Sequence, residues 1–464
     1  MFNGIAVSKG IGIGIAKVVK SPEGTKDSGD SVMERIIMES APGAVFVMKE
    51  LTPYLAGILK KQSVSGVVCE NGGATSHSAL LVKALGIPAV YGAEAVTDGI
   101  SDGDTVIVDG INGYVYEKPD SGLVREFSTR KRAFQKDQEK LIKFRSMQTK
   151  MACGTECKIF CNVSDQMGVL KMLDNGGEGV GLYRTEHLFL QTDHIPDEEE
   201  QLRSYMHIIN VLEGKSVVFR TLDIGGDKAS PDNAFRFEKE DNPFLGYRGV
   251  RYSLGNRDIF MAQLRALLRA SAYGKVSIMI PMISCVEEMR SVKSLIYEIT
   301  GDLRDEGYEY DEDIRVGAMI ETPSAAEMSD VFIHECDFFS IGSNDLVQYT
   351  MGADRGNRNV SYLQTVIQPS VLRLIRKTIK SAIDAGKPIS VCGEAASDPM
   401  IIPVLAGFGL RVFSVDPLLV PETRRCLSEW SLDEAEKLAG DVVGMSTSAD
   451  IREYIKAAMR KKGL

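Results

Sequence analysis

Histidine is scarce in this chain, with five among 464 residues. No apolar run approaches the roughly 20 residues that a spanning helix requires, so no transmembrane segment is expected. A basic excess is also missing. Against 54 Lys and Arg stand 64 Asp and Glu, for a net charge of −10, and nucleic-acid binding rests on surplus Lys and Arg. A dominant nucleic-acid surface is therefore not expected, though a local basic pocket for a small anion stays open. The eight cysteines lack the paired spacing of a secreted scaffold, which points to a reducing compartment. The opening residues lack the charged start and apolar core of a signal peptide, so the expectation is a cytoplasmic protein. Hydrophobic content of 44% and charged content of 25% are those of a globular chain long enough for two or three domains.

What is present divides into two grammars. Up to Lys118 the runs are short, β-rich and broken by glycine ("GIGIAKVV", "GAVFVMK", "VSGVVCE", "IPAVYG", "DTVIVDG", "GYVYEK"), with short helices fitting near Met33–Ser40, Pro53–Lys61 and Ser76–Leu85. Residues 1–118 read as a compact β/α domain. Residues 119–150 contain "GLVREFSTRKRAFQKDQEKLIKFRSMQTK", free of proline and of internal glycine, and read as a charged linker helix. From 151 to 464, eight apolar strand-like runs alternate with amphipathic segments: "KIFCNVS", "GVGLYRTE", "SVVFRTLD", "VSIMIPMI", "RVGAMIET", "DFFSIGSND", "PISVCGEA" and "RVFSVDPL". That alternation predicts a (β/α)8 barrel, so the fold class is α/β.

A barrel of this kind carries its chemistry where strands end. Arg184 closes the second predicted strand and Arg220 lies in the third; Glu321 closes the fifth, Asn344 and Asp345 close the sixth, and Cys392 lies in the seventh, with Arg355 in the loop "GADRGN". Converging arginines suit a small anion carrying phosphate and carboxylate, which guanidinium groups bind through two parallel hydrogen bonds. Two carboxylates, Glu321 and Asp345, suit Mg2+, and a thiol can serve as acid or base. Polar residues at a barrel rim can equally be structural, one by one. In the first domain, "GGATSHSALLVKAL" sets His77 behind a glycine pair at the start of a helix. Its plain reading is a surface residue beside a cap formed by Thr75 or Ser76.

The motifs "GLYRTE", "RTLDIGGDK", "NPFLGYRGVR", "IETPSAAEM", "DFFSIGSNDLVQYTMGADRGN" and "VCGEAASD" occur in the order seen in the phosphoenolpyruvate-utilising enzymes. The chain most resembles Enzyme I, the phosphoenolpyruvate-protein phosphotransferase family of the bacterial sugar phosphotransferase system. "GGATSHSALLVKALGIPAVYG" is similar to its phosphohistidine segment. The resemblance implies that phosphoenolpyruvate is bound by Arg184, Arg220, Asn344, Asp345 and Arg355, with Arg248 as a helper. It further implies Mg2+ on Glu321 and Asp345, attack on phosphorus by His77, and proton delivery by Cys392 to give pyruvate. A swinging first domain pivoting on the linker helix, a homodimer through the barrel, and a histidine-containing phosphocarrier protein as acceptor are implied with it.

The chain departs from that family in one large respect. Enzyme I carries an all-helical subdomain, inserted in its first domain, that docks the phosphocarrier. Here the corresponding stretch, 21–42, is "SPEGTKDSGDSVMERIIMESAP", too short for four packed helices when a mean helix takes about 11 residues. Ala74 and Lys83 stand where the family often has arginine, and "SYLQTVIQPSV" lacks its usual histidine. Two other readings remain open. One is a fragment like phosphoenolpyruvate synthase or pyruvate phosphate dikinase; the other is a regulatory protein that binds phosphoenolpyruvate without passing phosphate on. Cys153, Cys157 and Cys161 recur every fourth residue, but Gly154 argues against one helical face. His187 follows "RTE" with no assigned role.

Overall fold

A computed structural model describes residues 1–19, 29–59, 62–73, 76–190, 192–225 and 240–463. The chain forms two compact units, Met1–Lys140 and Leu141–Leu464.

The first unit is built on an eight-stranded mixed sheet. Its strands are β1 (Phe2–Asn3), β2 (Ile5–Ser8), β3 (Ile11–Val19), β4 (Ala44–Met48), β5 (Val64–Cys69), β6 (Ala89–Tyr91), β7 (Thr105–Asp109) and β8 (Tyr114–Glu117), in the order β1-β8-β7-β3-β4-β5-β6-β2. The central run β3-β4-β5-β6 is parallel, and β4 and β6 within it are apolar and buried throughout, as strands covered on both faces must be. The glycines of "GIGIG" answer a close approach: a Cβ on Gly12 would stand 2.2 Å from the Ser65 carbonyl oxygen. Four helices belong to this unit's body: α1 (Gly29–Glu39), α2 (Pro53–Leu59), α3 (His77–Ala84) and the single turn α4 (Val96–Gly99). The part of the shortened insert at 21–28 lies outside the described residues; α1 is the one described helix between β3 and β4.

The linker helix, α5 (Ser121–Leu141), is shorter than its sequence promises and gives way to a 3-10 turn at Ile142–Arg145. The cause is non-local. The Arg424 guanidinium, 2% exposed, donates to the carbonyls of Phe144 and Arg145, taking up acceptors at the end of the turn. At its other end α5 is fastened to the first unit. Phe127 packs against Ile11 and Ile107, and Arg130 lies over the Phe127 ring while pairing with buried Asp109 at 3.2 Å.

The second unit is a closed barrel of eight parallel strands: β9 (Lys158–Val163), β10 (Val180–Arg184), β11 (Val217–Arg220), β12 (Val276–Ile280), β13 (Arg315–Ile320), β14 (Phe339–Gly342), β15 (Ile389–Cys392) and β16 (Val412–Val415), with β16 pairing back to β9. Each predicted strand is present. The amphipathic segments between them form helices such as Arg257–Ser271 and Pro369–Asp384, the latter with proline in its first turn, where the missing N–H costs nothing. Leu182, Met279, Met319 and Cys392 cluster together from β10, β12, β13 and β15, on different sides of the ring, which places them inside the barrel. Among the described residues no helix is long and apolar enough to cross a membrane.

Candidate active site

Strand geometry gathers the expected residues at the carboxyl end of the barrel. Arg184 and Arg220 are the last residues of β10 and β11 and are direct register partners, so two guanidinium groups start side by side. Glu321 follows β13 immediately, and Cys392 ends β15 opposite Gly342. One expectation is corrected. Asn344 and Asp345 do not close a strand, because β14 stops at Gly342 and both belong to the first turn of the helix Ser343–Met351. At the junction stands Gly342, where a Cβ would lie 2.7 Å from Glu321 Oε2.

The charged groups form an alternating chain. Arg220 Nη2 donates to Glu186 Oε1 at 2.7 Å, and its Nη1 pairs with Asp223 Oδ2 at 3.1 Å. Asp223 also accepts from Arg248 Nη2, at 3.0 Å on Oδ1 and 2.9 Å on Oδ2. Arg248 Nη1 lies 3.8 Å from Asp345 Oδ1, and Arg355 Nη1 lies 3.6 Å from the same oxygen. Burial pulls the Arg220 and Arg248 guanidinium groups down, but the surrounding carboxylates, led by Glu186 and Asp223 for Arg220 and by Asp223 for Arg248, more than offset it, so both are held charged. Arg248 is thus buried within the charge chain, between Asp223 and Asp345. Sequence reasoning passed over Glu186 and Asp223, although both lie in motifs it used. The available signal was a carboxylate just beyond an apolar strand.

Arg184 differs from its neighbours. Among the described residues it has no hydrogen bond or ion pair. Crowding by protein and then the charge of Arg220 press its guanidinium below the ordinary value. Arg184 is thus a bare cation at the carboxyl end of the barrel. Nearby, Asn344 Oδ1 accepts from the Glu394 N–H at 3.0 Å. Arg355 lies beside the Phe244 ring, and a cavity of about 290 Å³ opens along Asn344, Gln348, Arg355, Thr365, Glu394 and Asp398. A larger crevice of about 530 Å³ sits at the opposite end of the barrel, where Lys158 and Val412 begin their strands.

Two groups carry shifted proton affinities. The Cys392 thiol is pushed up by burial, against a hydrogen bond from Ser340 Oγ at 3.4 Å. It stays protonated at neutral pH and donates to the Ile341 carbonyl oxygen at 3.5 Å. Glu321 is pushed up to about 8, first by burial and then by Asp345 and Asp223; its Oε1 accepts the Met282 N–H at 2.7 Å. Between the ordinary carboxylate range and about pH 8 the folded chain therefore keeps a proton that the unfolded chain has released, so stability falls as pH rises through that window. Glu321→Gln is expected to melt above the wild type at pH 8 without divalent metal and level with it near pH 4. Thermal scans at the two pH values check this; a variant melting lower at pH 8 contradicts it.

In the first unit, His77 is the first residue of α3, and Ser76 is the cap, its Oγ accepting the Ala79 N–H at 3.3 Å. Ala74 and Thr75 lie outside the described residues, and Lys83 is in the last turn. Cys153 is exposed, Cys157 is buried ahead of β9, and Cys161 is buried within it. Among the described residues no three His, Cys, Asp or Glu side chains gather as a metal site. His187 lies in the short helix Glu186–Leu190, without contact to the charge chain among the described interactions.

Fold and site together define a barrel enzyme built to hold a small multiply charged anion. The sequence matches the "PEP-utilising enzyme, PEP-binding domain" over residues 138–432 and the "PEP-utilising enzyme, mobile domain" over 40–113. It is 41% identical over 418 residues to the phosphoenolpyruvate-protein phosphotransferase of Staphylococcus carnosus, covering 89% of this chain and 73% of that protein. It is 43% identical over 416 residues to the protein of the same name from Bacillus subtilis, covering 90% and 73%. A solution structure of an Enzyme I protein aligns at 32% identity over 23% of this chain and 46% of its own, with a TM-score of 0.21. The chain belongs to the phosphoenolpyruvate-utilising enzymes, and among them to the phosphoenolpyruvate-protein phosphotransferase family.

Proposed function

We propose that the chain takes the phosphoryl group of phosphoenolpyruvate onto His77, releases pyruvate, and passes the group to a protein acceptor. The observation that carries this reading is the meeting of an unpaired arginine, three paired arginines and a buried protonated thiol at one barrel mouth. Arg184 and Arg220 take the phosphate, and Asn344 and Arg355 take the carboxylate end, with Arg248 holding the shared carboxylates in place. A ring nitrogen of His77 attacks phosphorus as the bond from phosphorus to the enol oxygen breaks. The electron pair stays on the enolate, and Cys392 gives its proton to the terminal carbon, completing pyruvate. His77 travels on the first unit, with α5 and the turn after it as the pivot.

Glu321 and Asp345 fit Mg2+. Asp345 Oδ1 is buried without a hydrogen bond, and the proton affinity of Glu321 is raised first by burial and then by the negative charge of Asp345 and Asp223, which a cation would offset. Bound there, Mg2+ would neutralise charge on the phosphoryl oxygens. The family resemblance adds a homodimer through the barrel and a histidine-containing phosphocarrier protein, or another protein acceptor, as partner.

The test is incubation with radiolabelled phosphoenolpyruvate and Mg2+. Acid-labile phosphate is expected on His77 alone, with none on His77→Ala. Label elsewhere, or label surviving that substitution, removes His77 from the mechanism. A protein that binds the substrate and gains no label fits the regulatory reading instead.

A further inference from the structure

Arg220 is held from two sides by carboxylates outside the expected set of substrate, metal and proton-transfer groups. Glu186 takes its Nη2 and Asp223 its Nη1, while its Nε is buried with no hydrogen-bond partner. The Glu186 oxygen that holds Nη2 also accepts the backbone N–H of Asp223 at 3.0 Å, so one carboxylate fixes both the guanidinium and the loop bearing the second carboxylate. Behind this sits a further buried layer. Thr185 Oγ1 donates to the Arg220 carbonyl at 2.9 Å, and Gln263 joins Thr185 to the Leu222 N–H at 3.2 and 2.8 Å. The side chains of Glu186 and Asp223 are 8% and 2% exposed.

We propose that Glu186 and Asp223 are positioning residues that clamp the Arg220 guanidinium in one orientation for the substrate phosphate. The inference rests on the proposed phosphotransfer and deepens it. With a carboxylate on each terminal nitrogen, the guanidinium plane is held against rotation. A guanidinium already oriented loses little entropy when the anion arrives and little again as charge moves on the phosphoryl oxygens. A lysine cannot reproduce this arrangement, because one ammonium lacks the planar fork that two carboxylates hold from two sides.

Single-turnover labelling of the full chain with radiolabelled phosphoenolpyruvate tests the clamp in Glu186→Gln and, independently, in Asp223→Asn. Each is expected to slow phosphohistidine formation by about tenfold to a hundredfold while reaching the same final label per chain as the wild type. Half-saturation in phosphoenolpyruvate should not rise, since each change removes a negative charge from an anion site. A merely structural role would lower the final label and leave the rate of the remaining active molecules unchanged, and that result overturns the proposal. So does a labelling rate within twofold of the wild type in either variant that keeps its fold by circular dichroism. If the wild type itself takes no label, the phosphotransfer reading fails; if only the variants behave as wild type, the clamp alone fails.

Discussion

Arg184→Ala and Arg220→Ala are expected both to abolish detectable labelling, yet to part in stability. Arg184 is solvent-exposed at the end of β10 and has no partner among the described residues, and its charge is disfavoured by crowding from the surrounding protein and by Arg220. Its removal should leave the melting temperature unchanged or slightly higher while phosphotransfer falls by about a hundredfold to a thousandfold, the usual loss when one oriented donor to developing charge is deleted. Arg220 lies between Glu186 and Asp223, and Glu321 also feels its charge. Its removal leaves buried carboxylates uncompensated, at a cost of about 3–5 kcal/mol of stability, in addition to the lost contact with phosphate. Denaturant titration beside a labelling time course separates the two variants. Labelling near the wild-type rate in either one would mean that the substrate lies elsewhere.

Transfer to a standard histidine-containing phosphocarrier is expected to be slower by orders of magnitude than formation of the phosphohistidine itself. Self-labelling needs His77, the barrel mouth and the joining helix, all present in the chain. Docking in the resembling family belongs to an inserted helical subdomain, and here β3 and β4 are joined by residues 20–43, with α1 the one described helix among them. A specific interface buries about 800 Å² on each partner, more than so short a connection can offer. Without docking, the proximity that makes phosphoryl transfer fast is lost. Purified phosphorylated protein mixed with such a carrier, sampled over time, gives the answer. Transfer as fast as that of an Enzyme I with its docking subdomain would show that another surface recruits the acceptor.

Much of the architecture was legible in the sequence because parallel barrel strands are covered on both faces and therefore read as unbroken apolar runs. "SVVFRTLD" and "RVGAMIET" announce β11 and β13, and the polar residue at the end of each run announces the rim. The cap at Ser76 was legible for an equally local reason: a hydroxyl before a helical run satisfies a free N–H two or three residues on. What the sequence could not state was pairing. Arg248 meets Asp223 and Asp345, and Arg220 meets Glu186, across separations set by strand register and by the closure of the barrel. No local signal marked that β14 ends at Gly342 and leaves Asn344 and Asp345 to the following helix. The early end of α5 turned on Arg424, nearly three hundred residues away in the chain, reaching the carbonyls of Phe144 and Arg145. Periodicity and local hydrogen bonding act over a few residues and so are written along the chain. Charge pairing in a buried site depends on which groups the fold brings within about 4 Å of one another, and only the closed barrel sets those distances.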